Sequence, residues 1–386
     1  MRDTIDTILA RACEAGEVPG VAAAATDGER VIYEGAFGRR AIDAATPMTP
    51  DTVVWIASMT KALTSAAAMQ LVEQGKLALD APIATVLPEL ARPQVLEGFT
   101  ADGTPRLRPA ARPITLRHLL THTAGFSYEF WNAEIGRYQQ QTGTPGIATC
   151  ENRALTTPLV GEPGERWEYG INIDWVGKAV EAASGKDLRS YLQDHLLGPL
   201  GMADTDFVVG SSQRARLAAM HARGADGTLQ RVDFALPETP EFFMGGGGLY
   251  GTARDYLRFV AMILNEGRAD GAQLLRPDTV REMGRNEIGE LTVGPLRTVL
   301  PELSNDADFF PGMVKKFGLG FLINTEPVPG GRSAGSLAWA GLANTYFWID
   351  PQRRRGGVIC TQILPFADPT VLRLLGEFER AVYAEG

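Results

Sequence analysis

The sequence predicts an α+β fold: a sheet assembled from the two ends of the chain, with a mostly helical stretch between them. Three observations carry that reading. Short runs of small, branched and aromatic residues, broken by turn signals, fill the beginning and the last third. The middle carries helix starts and stops with no alternating pattern between them. At 386 residues with 45% apolar and 22% charged side chains, the chain is long and apolar enough for a large buried core, which excludes a disordered, low-complexity or collagen-like polymer. The expected division places 1–57 and 245–386 in the sheet-bearing domain and 58–244 in the helical one.

Taken in order, Gly20 to Ala25 and Arg30 to Phe37 flank Asp27-Gly28, a strong two-residue hairpin signal. Thr52 to Ile56 is a further short β-like run. It leads into an Ala-rich segment carrying Leu63, Ala67, Met69, Leu71 and Val72 and stopped by Gly75, which predicts a buried helix from Ser58 to Gln74. Residues 80–115 hold many Pro and Gly and little periodicity, and Thr115 then caps a short Leu-rich helix through Thr121. Asn172 to Ser184 before Gly185, and Leu188 to Leu197 before Gly198-Pro199, predict two more helices. Thr252 begins another, in a pattern like a capping box, that ends at Asn265-Glu266-Gly267. Phe317 to Ile323, Leu337 to Ile349 and Gly357 to Leu364 are the expected strands of the last third, before a terminal helix from about Pro369 to Tyr383.

Charge narrows the partners. Lys plus Arg number 37 and Asp plus Glu 46, and the resulting net charge of −9 disfavours attraction to phosphate backbones or anionic lipid. Neither nucleic acid nor membrane is an expected partner. Met1 to Asp6 include two acids and lack the apolar stretch of a secretory signal, and no later run has the length to cross a bilayer, so a soluble cytoplasmic protein is expected. Cys13, Cys150 and Cys360 are odd in number and far apart, which indicates neither a disulfide framework nor a thiolate metal site.

Three motifs fit their surroundings poorly. Gly331-Arg332-Ser333-Ala334-Gly335 matches G-x-S-x-G, but a loop precedes it, a strand-like run follows it, and His118, His122, His195 and His221 all come before Ser333. Gly246-Gly247-Gly248-Leu249-Tyr250-Gly251 matches G-x-G-x-x-G, yet Pro237 and Pro240 exclude a central strand before it. A close passage against another backbone or a ligand explains those glycines better. His118 and His122 have helical metal-ligand spacing without a third ligand, and read as structural.

Ser58-Met59-Thr60-Lys61 differs in having the right context. Among ten serines and six lysines it is the one Ser with Lys three residues on. At a helix start these positions share a face, so the amine stands one turn from the hydroxyl. The helix N-terminus adds positive potential and a free Ser58 N–H, useful first to an alkoxide and then to an oxyanion.

With that motif the sequence resembles the serine β-lactamase/penicillin-binding-protein superfamily, and most closely the β-lactamase-like carboxylesterases called family VIII. The resemblance runs along nearly the whole chain. It includes Leu77-Ala78-Leu79-Asp80-Ala81-Pro82, Leu119-Leu120-Thr121-His122-Thr123-Ala124-Gly125, Pro163-Gly164-Glu165-Arg166-Trp167-Glu168-Tyr169, the glycine segment at 246–251, and Trp339-Ala340-Gly341. It implies an antiparallel sheet flanked by helices plus a mostly helical second domain, a small-molecule ester as substrate, and no cofactor or metal. By motif it implies Ser58 as nucleophile, Lys61 as its partner, Tyr169 as a residue sharing or relaying the proton, and the N–H groups of Ser58 and Leu342 as the oxyanion hole. A lysine desolvated in the site could take the Ser58 proton, or its charge could favour a tyrosinate that does; both remain open at this level.

Two departures from the family pattern narrow the substrate. Tyr169-Gly170-Ile171 lacks the amide-bearing Asn two residues after the Tyr, Asn172 coming one place late. Trp339-Ala340-Gly341 replaces the Lys-Thr-Gly whose cation and hydroxyl meet a β-lactam carboxylate. An uncharged ester suits such a site better than a β-lactam. Trp339, Gly341, Tyr128 and Phe243 are the expected substrate-binding residues, drawn in part from two aromatic clusters: Phe126, Tyr128, Phe130 and Trp131, then Phe234, Phe242 and Phe243. Oligomeric state is not legible.

Overall fold

The computed structural model describes residues 1–384, and in it the two ends of the chain meet in one antiparallel sheet. An amphipathic helix, α1 (Arg2–Glu14), comes first and buries Ile5, Leu9 and Ala12. The expected hairpin follows as β1 (Gly20–Thr26) and β2 (Val31–Gly38), with Gly28 at φ +91° in the turn. After β3 (Val54–Trp55), a single 3-10 turn over Ala57–Met59 leads into α2 (Thr60–Glu73). α2 is buried on nearly every side rather than along one stripe, which accounts for its Ala-rich, evenly apolar sequence.

α1 lies outside the predicted set, and further unpredicted elements appear where burial is slight. β4 (Gln94–Phe99) and β5 (Pro105–Pro109) form a hairpin within the Pro-rich stretch; β5 is largely solvent-facing and bounded by prolines, so it carries no strand pattern. α3 (Leu116–Leu120) starts on the Thr115 cap as expected. α4 (Ala133–Thr142), capped by Asn132, buries only Ile135 and so has little apolar period to read. α5 (Asn172–Ser184) ends on Gly185, and α6 (Leu188–Leu192) runs on as a π turn to Leu197. Then come α7 (Ser211–Arg214), the hairpin β6 (Met220–Arg223) and β7 (Leu229–Val232), and β8 (Tyr250–Gly251), which pairs with β3. The Thr252 hydroxyl, accepting the Asp255 N–H, caps α8 (Ala253–Leu264). β9 (Arg268–Ala269), β10 (Ala272–Gln273) and α9 (Pro277–Met283) follow.

Two apolar runs that read as single strands turn back on themselves. Phe317 to Ile323 divides between β11 (Lys315–Phe317) and β12 (Leu322–Asn324), with Gly320 at φ +98° between them. Leu337 to Ile349 divides into β13 (Leu337–Gly341) and β14 (Thr345–Asp350), with Asn344 at φ +57°. Both turns are buried, so hydropathy shows no break. The last run divides too: β15 (Arg355–Cys360) stays in the sheet, while β16 (Ile363–Leu364) leaves it to pair in parallel with β6. α10 (Pro369–Tyr383) closes the chain.

The sheet order is β11-β12-β13-β14-β15-β1-β2, so β1 and β15 join the beginning of the chain to its end. Neighbouring residues of a strand face opposite ways, and Phe347 and Trp348 of β14 show what covers each face. Phe347 meets Tyr256 of α8 with ring centroids 5.0 Å apart, and Trp348 meets Phe378 of α10 at 5.4 Å. α8 therefore lies on one face and the packed pair α1–α10 on the other. The Tyr256 hydroxyl donates to the Met59 carbonyl, fixing the start of α2 against the sheet's helical cover. No helix among the described residues is long and apolar enough to cross a membrane.

Candidate active site

Ser58 sits in a turn that the rest of the fold constrains tightly. Ala57, the residue before it, has φ +46°, a left-handed conformation unfavourable to any residue with a Cβ. The turn is held from three sides. Thr345 Oγ1 donates to the Ile56 carbonyl at 3.2 Å, the Ile56 N–H donates to Leu249, and Thr60 Oγ1 donates to the Ala57 carbonyl at 2.7 Å while accepting the Leu249 N–H. The Cα of Gly341 lies so close that a Cβ there would stand 2.3 Å from the Ile56 oxygen. That approach brings the end of β13, and Leu342 after it, against the turn bearing Ser58.

Lys61 is 1% exposed, and its Nζ donates to Ser58 Oγ at 3.1 Å, to the Tyr128 hydroxyl at 3.0 Å and to the Gly246 carbonyl at 2.5 Å. The amine also lies 4.8 Å from the centroid of the Tyr169 ring. The Tyr169 hydroxyl accepts from Trp339 Nε1 at 3.2 Å, and its ring packs on Trp167, His122 and Tyr128. Thus Ser58, Lys61 and Tyr169 converge, but the phenol hydrogen-bonded to Lys61 is Tyr128, which the sequence placed among substrate-binding residues. Gly170 permits the convergence: a Cβ there would lie 2.4 Å from the Phe126 carbonyl oxygen, where the tyrosine segment passes the loop leading to Tyr128.

The glycine segment is a cradle for the lysine rather than for a nucleotide. The Gly246 N–H donates to Asp174 Oδ1 at 2.8 Å, Thr64 donates to the Gly245 carbonyl, and Trp55 Nε1 donates to Gly247 at 2.7 Å. A Cβ on Gly246 would stand 2.5 Å from the Asp174 carboxylate. Asp174 is wholly buried, and its Oδ2 has no hydrogen-bond partner. Burial pushes its carboxyl up to about 6 against the opposing pull of Lys61 and the Gly246 N–H. Burial, reinforced by that carboxylate, holds the Tyr128 phenol well above its ordinary range. Asp174 escaped sequence reading because nothing in Ile173-Asp174-Trp175 distinguishes it from a helix-start acid.

The remaining motif residues are structural. Asn172 turns inward, its amide donating toward His122 Nδ1 at 3.0 Å and to the Phe126 and Glu168 carbonyls. His122 is kept neutral by burial and by Lys61, and with Nδ1 accepting from Asn172 its ring proton is assigned to Nε2. His118 Nδ1 accepts the Thr115 N–H in a capping box. No cluster of three or more metal-ligating side chains occurs among the described residues. Gly331 to Gly335 is a turn between β12 and β13: Arg332 makes a buried ion pair with Glu379, and the Ser333 N–H donates to Asp350.

Ser58 opens into a cavity of about 190 Å3, lined by aromatic and aliphatic groups that include Trp55, Phe130, Trp131, Phe234, Leu342 and Phe309. Of the expected substrate-binding residues, Trp339 and Tyr128 line it. Gly341 does not, its place being fixed against Ile56, and Phe243 instead packs on Phe207 with centroids 5.2 Å apart. Leu296, Leu303, Phe309 and Phe366 enter the wall from the last third of the chain, where no motif marks them. No Lys or Arg is among the described lining residues, and Glu129 is the lone carboxylate, its carboxyl pushed up by burial.

Comparison with known proteins bears on this geometry. The profile of the family described as Beta-lactamase matches residues 3–378. A protein named Monacolin J acid methylbutanoyltransferase, from Aspergillus terreus, is 33% identical over 400 residues, covering 99% of this chain and 95% of its own length. Lovastatin esterase from Penicillium rubens is 32% identical over 397 residues, covering 98% of each. A solved structure of a mutant simvastatin synthase from Aspergillus terreus aligns with a TM-score of 0.86 at 33% identity, over 99% of this chain and 96% of that one.

Proposed function

The chain belongs to the beta-lactamase family, and from that premise we propose that it is a serine carboxylesterase of the family VIII kind, hydrolysing small uncharged esters through an acyl-enzyme on Ser58. The observation carrying this is the 3.1 Å contact between Lys61 Nζ and Ser58 Oγ beneath an apolar cavity without a lining cation. A carboxylate-bearing substrate would find nothing there to neutralise it.

Ser58 Oγ attacks the ester carbonyl and passes its proton to the basic group beside it, Lys61 or Tyr169. Tyr128 is not that base, because its phenol is held in the neutral form; it anchors the lysine. The tetrahedral oxyanion rests on the N–H groups of Ser58 and Leu342, at the start of α2 where the helix potential is positive. The alcohol departs with the proton, and water then repeats attack and collapse to release the acid. In this reading the site lies where the sheet-bearing and helical parts of the chain meet.

A second reading, transfer of the acyl group to an acceptor alcohol, is favoured by two observations. The methylbutanoyltransferase relative aligns over 99% of this chain, and an apolar wall would keep water scarce at the acyl-enzyme. p-Nitrophenyl acetate and butyrate distinguish the possibilities. Ser58→Ala is expected to release p-nitrophenol at least ~1,000-fold more slowly than the wild type; undiminished release ends the proposal. With an added alcohol, ester product exceeding free acid would make transfer the main reaction.

A further inference from the structure

The cavity over Ser58 holds a charge that hydrolysis of an uncharged ester does not use. Glu129 follows Tyr128 in the chain and is the one carboxylate among the described lining residues. A Cβ on Gly146 would stand 2.7 Å from its Oε1, so the carboxylate lies against the chain that continues into Ile147 and Ala148, both in the cavity wall. Its partners are neutral donors: its own N–H, that of Ile147 and the Gln139 amide. No Lys or Arg pairs with it among the described residues, and burial pushes its carboxyl up. A carboxylate drawn out of water without a counter-charge is costly, and that cost falls when a cation comes to it.

The surroundings share that bias. Lys61 pulls the Asp174 carboxyl down while Glu129 pushes it up, so one amine stands with two carboxyls around the site. His122, held neutral by burial and by Lys61, adds no charge. The wall beside Glu129 is aromatic. Phe130 and Trp131 follow it with ring centroids 5.5 Å apart, and Trp55 and Phe234 pack at 4.5 Å. Aromatic faces attract cations. Glu129, Phe130 and Trp131 are each partly exposed, unlike the core residues behind them.

We propose that this cavity takes esters bearing a quaternary ammonium group, with Glu129 as the residue that selects the cation and the aromatic wall covering its methyl groups. The substrate range thereby extends from uncharged esters to cationic ones, and carboxylate-bearing esters stay excluded. Cleavage follows the steps already given: the bond between acyl carbon and alcohol oxygen breaks, and water supplies the hydroxyl of the acid and the hydrogen of the alcohol. Turnover of such esters rests on the proposed function, whereas binding of the cation does not.

Two isosteric pairs, each differing only by nitrogen cation against carbon, test this. One places the charge in the alcohol, butyrylcholine against 3,3-dimethylbutyl butyrate. The other places it in the acyl group, the p-nitrophenyl esters of 4-(trimethylammonio)butyrate and 5,5-dimethylhexanoate. Glu129→Gln keeps an oxygen for the Ile147 N–H and removes the charge, so a residue that merely braced that turn would leave the cation-to-neutral ratio of kcat/KM where it was. The ratio is expected to fall at least ~10-fold in one pair, which then tells the side of the ester that Glu129 meets. An unchanged ratio in both pairs overturns the proposal. Calorimetry on Ser58→Ala, which needs neither turnover nor a change at Glu129, is expected to show the cationic member of that pair binding at least ~10-fold more tightly than its isostere; equal affinity within both pairs overturns the proposal as well. A protein inert toward every ester whose Ser58→Ala form still prefers the cation would remove the proposed function and leave this subsite standing, whereas hydrolysis of neutral esters with no such preference would do the reverse.

Discussion

Lys61 is held by oxygens whose positions are set elsewhere, and Asp174 governs one of them. Its carboxylate accepts the Gly246 N–H, and the carbonyl of that same glycine receives the lysine. Because burial raises this carboxyl from 3.8 to about 6, its charged form is disfavoured by folding. Stability is greatest below pH 3.8 in respect of this group, is lost as pH rises toward 6, and stays lost above it. Asp174→Asn keeps an oxygen for Gly246 and removes the charge. The variant is expected to be more stable than wild type at pH 7.5, by up to about 3 kcal/mol, and no more stable at pH 3.5, as urea unfolding at the two values would show. Its ester turnover should fall and lose the part of the acid limb centred near pH 6 that this group contributes. An unaltered pH–rate profile would remove Asp174 from the cradle's function. At this scale Ser58 and Lys61 were legible because one helical turn joins them. Tyr128 and Asp174 were not, since their approach to the lysine depends on loops packing across long sequence separations.

Among elements, the end of β13 bears most directly on the site. Gly341 lets the strand run against Ile56, and Gly341→Ala would force a Cβ to 2.3 Å from that carbonyl oxygen and 2.2 Å from Thr345 Oγ1. The strand must shift away from Ser58, carrying the Leu342 N–H with it. Turnover of p-nitrophenyl butyrate should drop by ~100-fold or more, the order lost with one oxyanion donor, while KM changes little. A KM effect alone would show that the glycine serves binding space instead. Helices with capping side chains and glycine stops were read closely from sequence: the bounds of α5, α8 and α10 fall within a residue or so of the expected ones. The hairpins within 315–324 and 337–350 were read as unbroken strands. Their turns are interior, so polar marks of a turn are sparse, and only Gly318, Gly320, Gly341 and Asn344 hint at them.

For the molecule as a whole, α10 is tied to the turn between β12 and β13 by a buried ion pair. Glu379 of that helix accepts the backbone N–H and the Nε and Nη2 donors of Arg332, the two side chains being 6% and 4% exposed. Glu379→Gln leaves a buried cation without its counter-charge and should cost about 3–5 kcal/mol in urea unfolding. A loss under 1 kcal/mol would mean that the pair adds little to the docking of α10. The same Arg332 belongs to the G-x-S-x-G match, so a sequence that resembles a catalytic turn works here as a structural clasp.

By itself the sequence determined the local chemistry and the class of fold. The Ser58–Lys61 pair, the capped helices and the opening hairpin all follow from interactions spanning only a few residues, and the order of motifs carried the family. Tertiary structure alone decided which phenol grips the lysine, that a buried aspartate fixes its cradle, and which apolar residues become cavity wall rather than core. Those outcomes depend on where distant segments touch. Hydropathy gives Phe243 and Phe234 the same reading, whereas the packed fold seats one against Phe207 and opens the other to the space above Ser58.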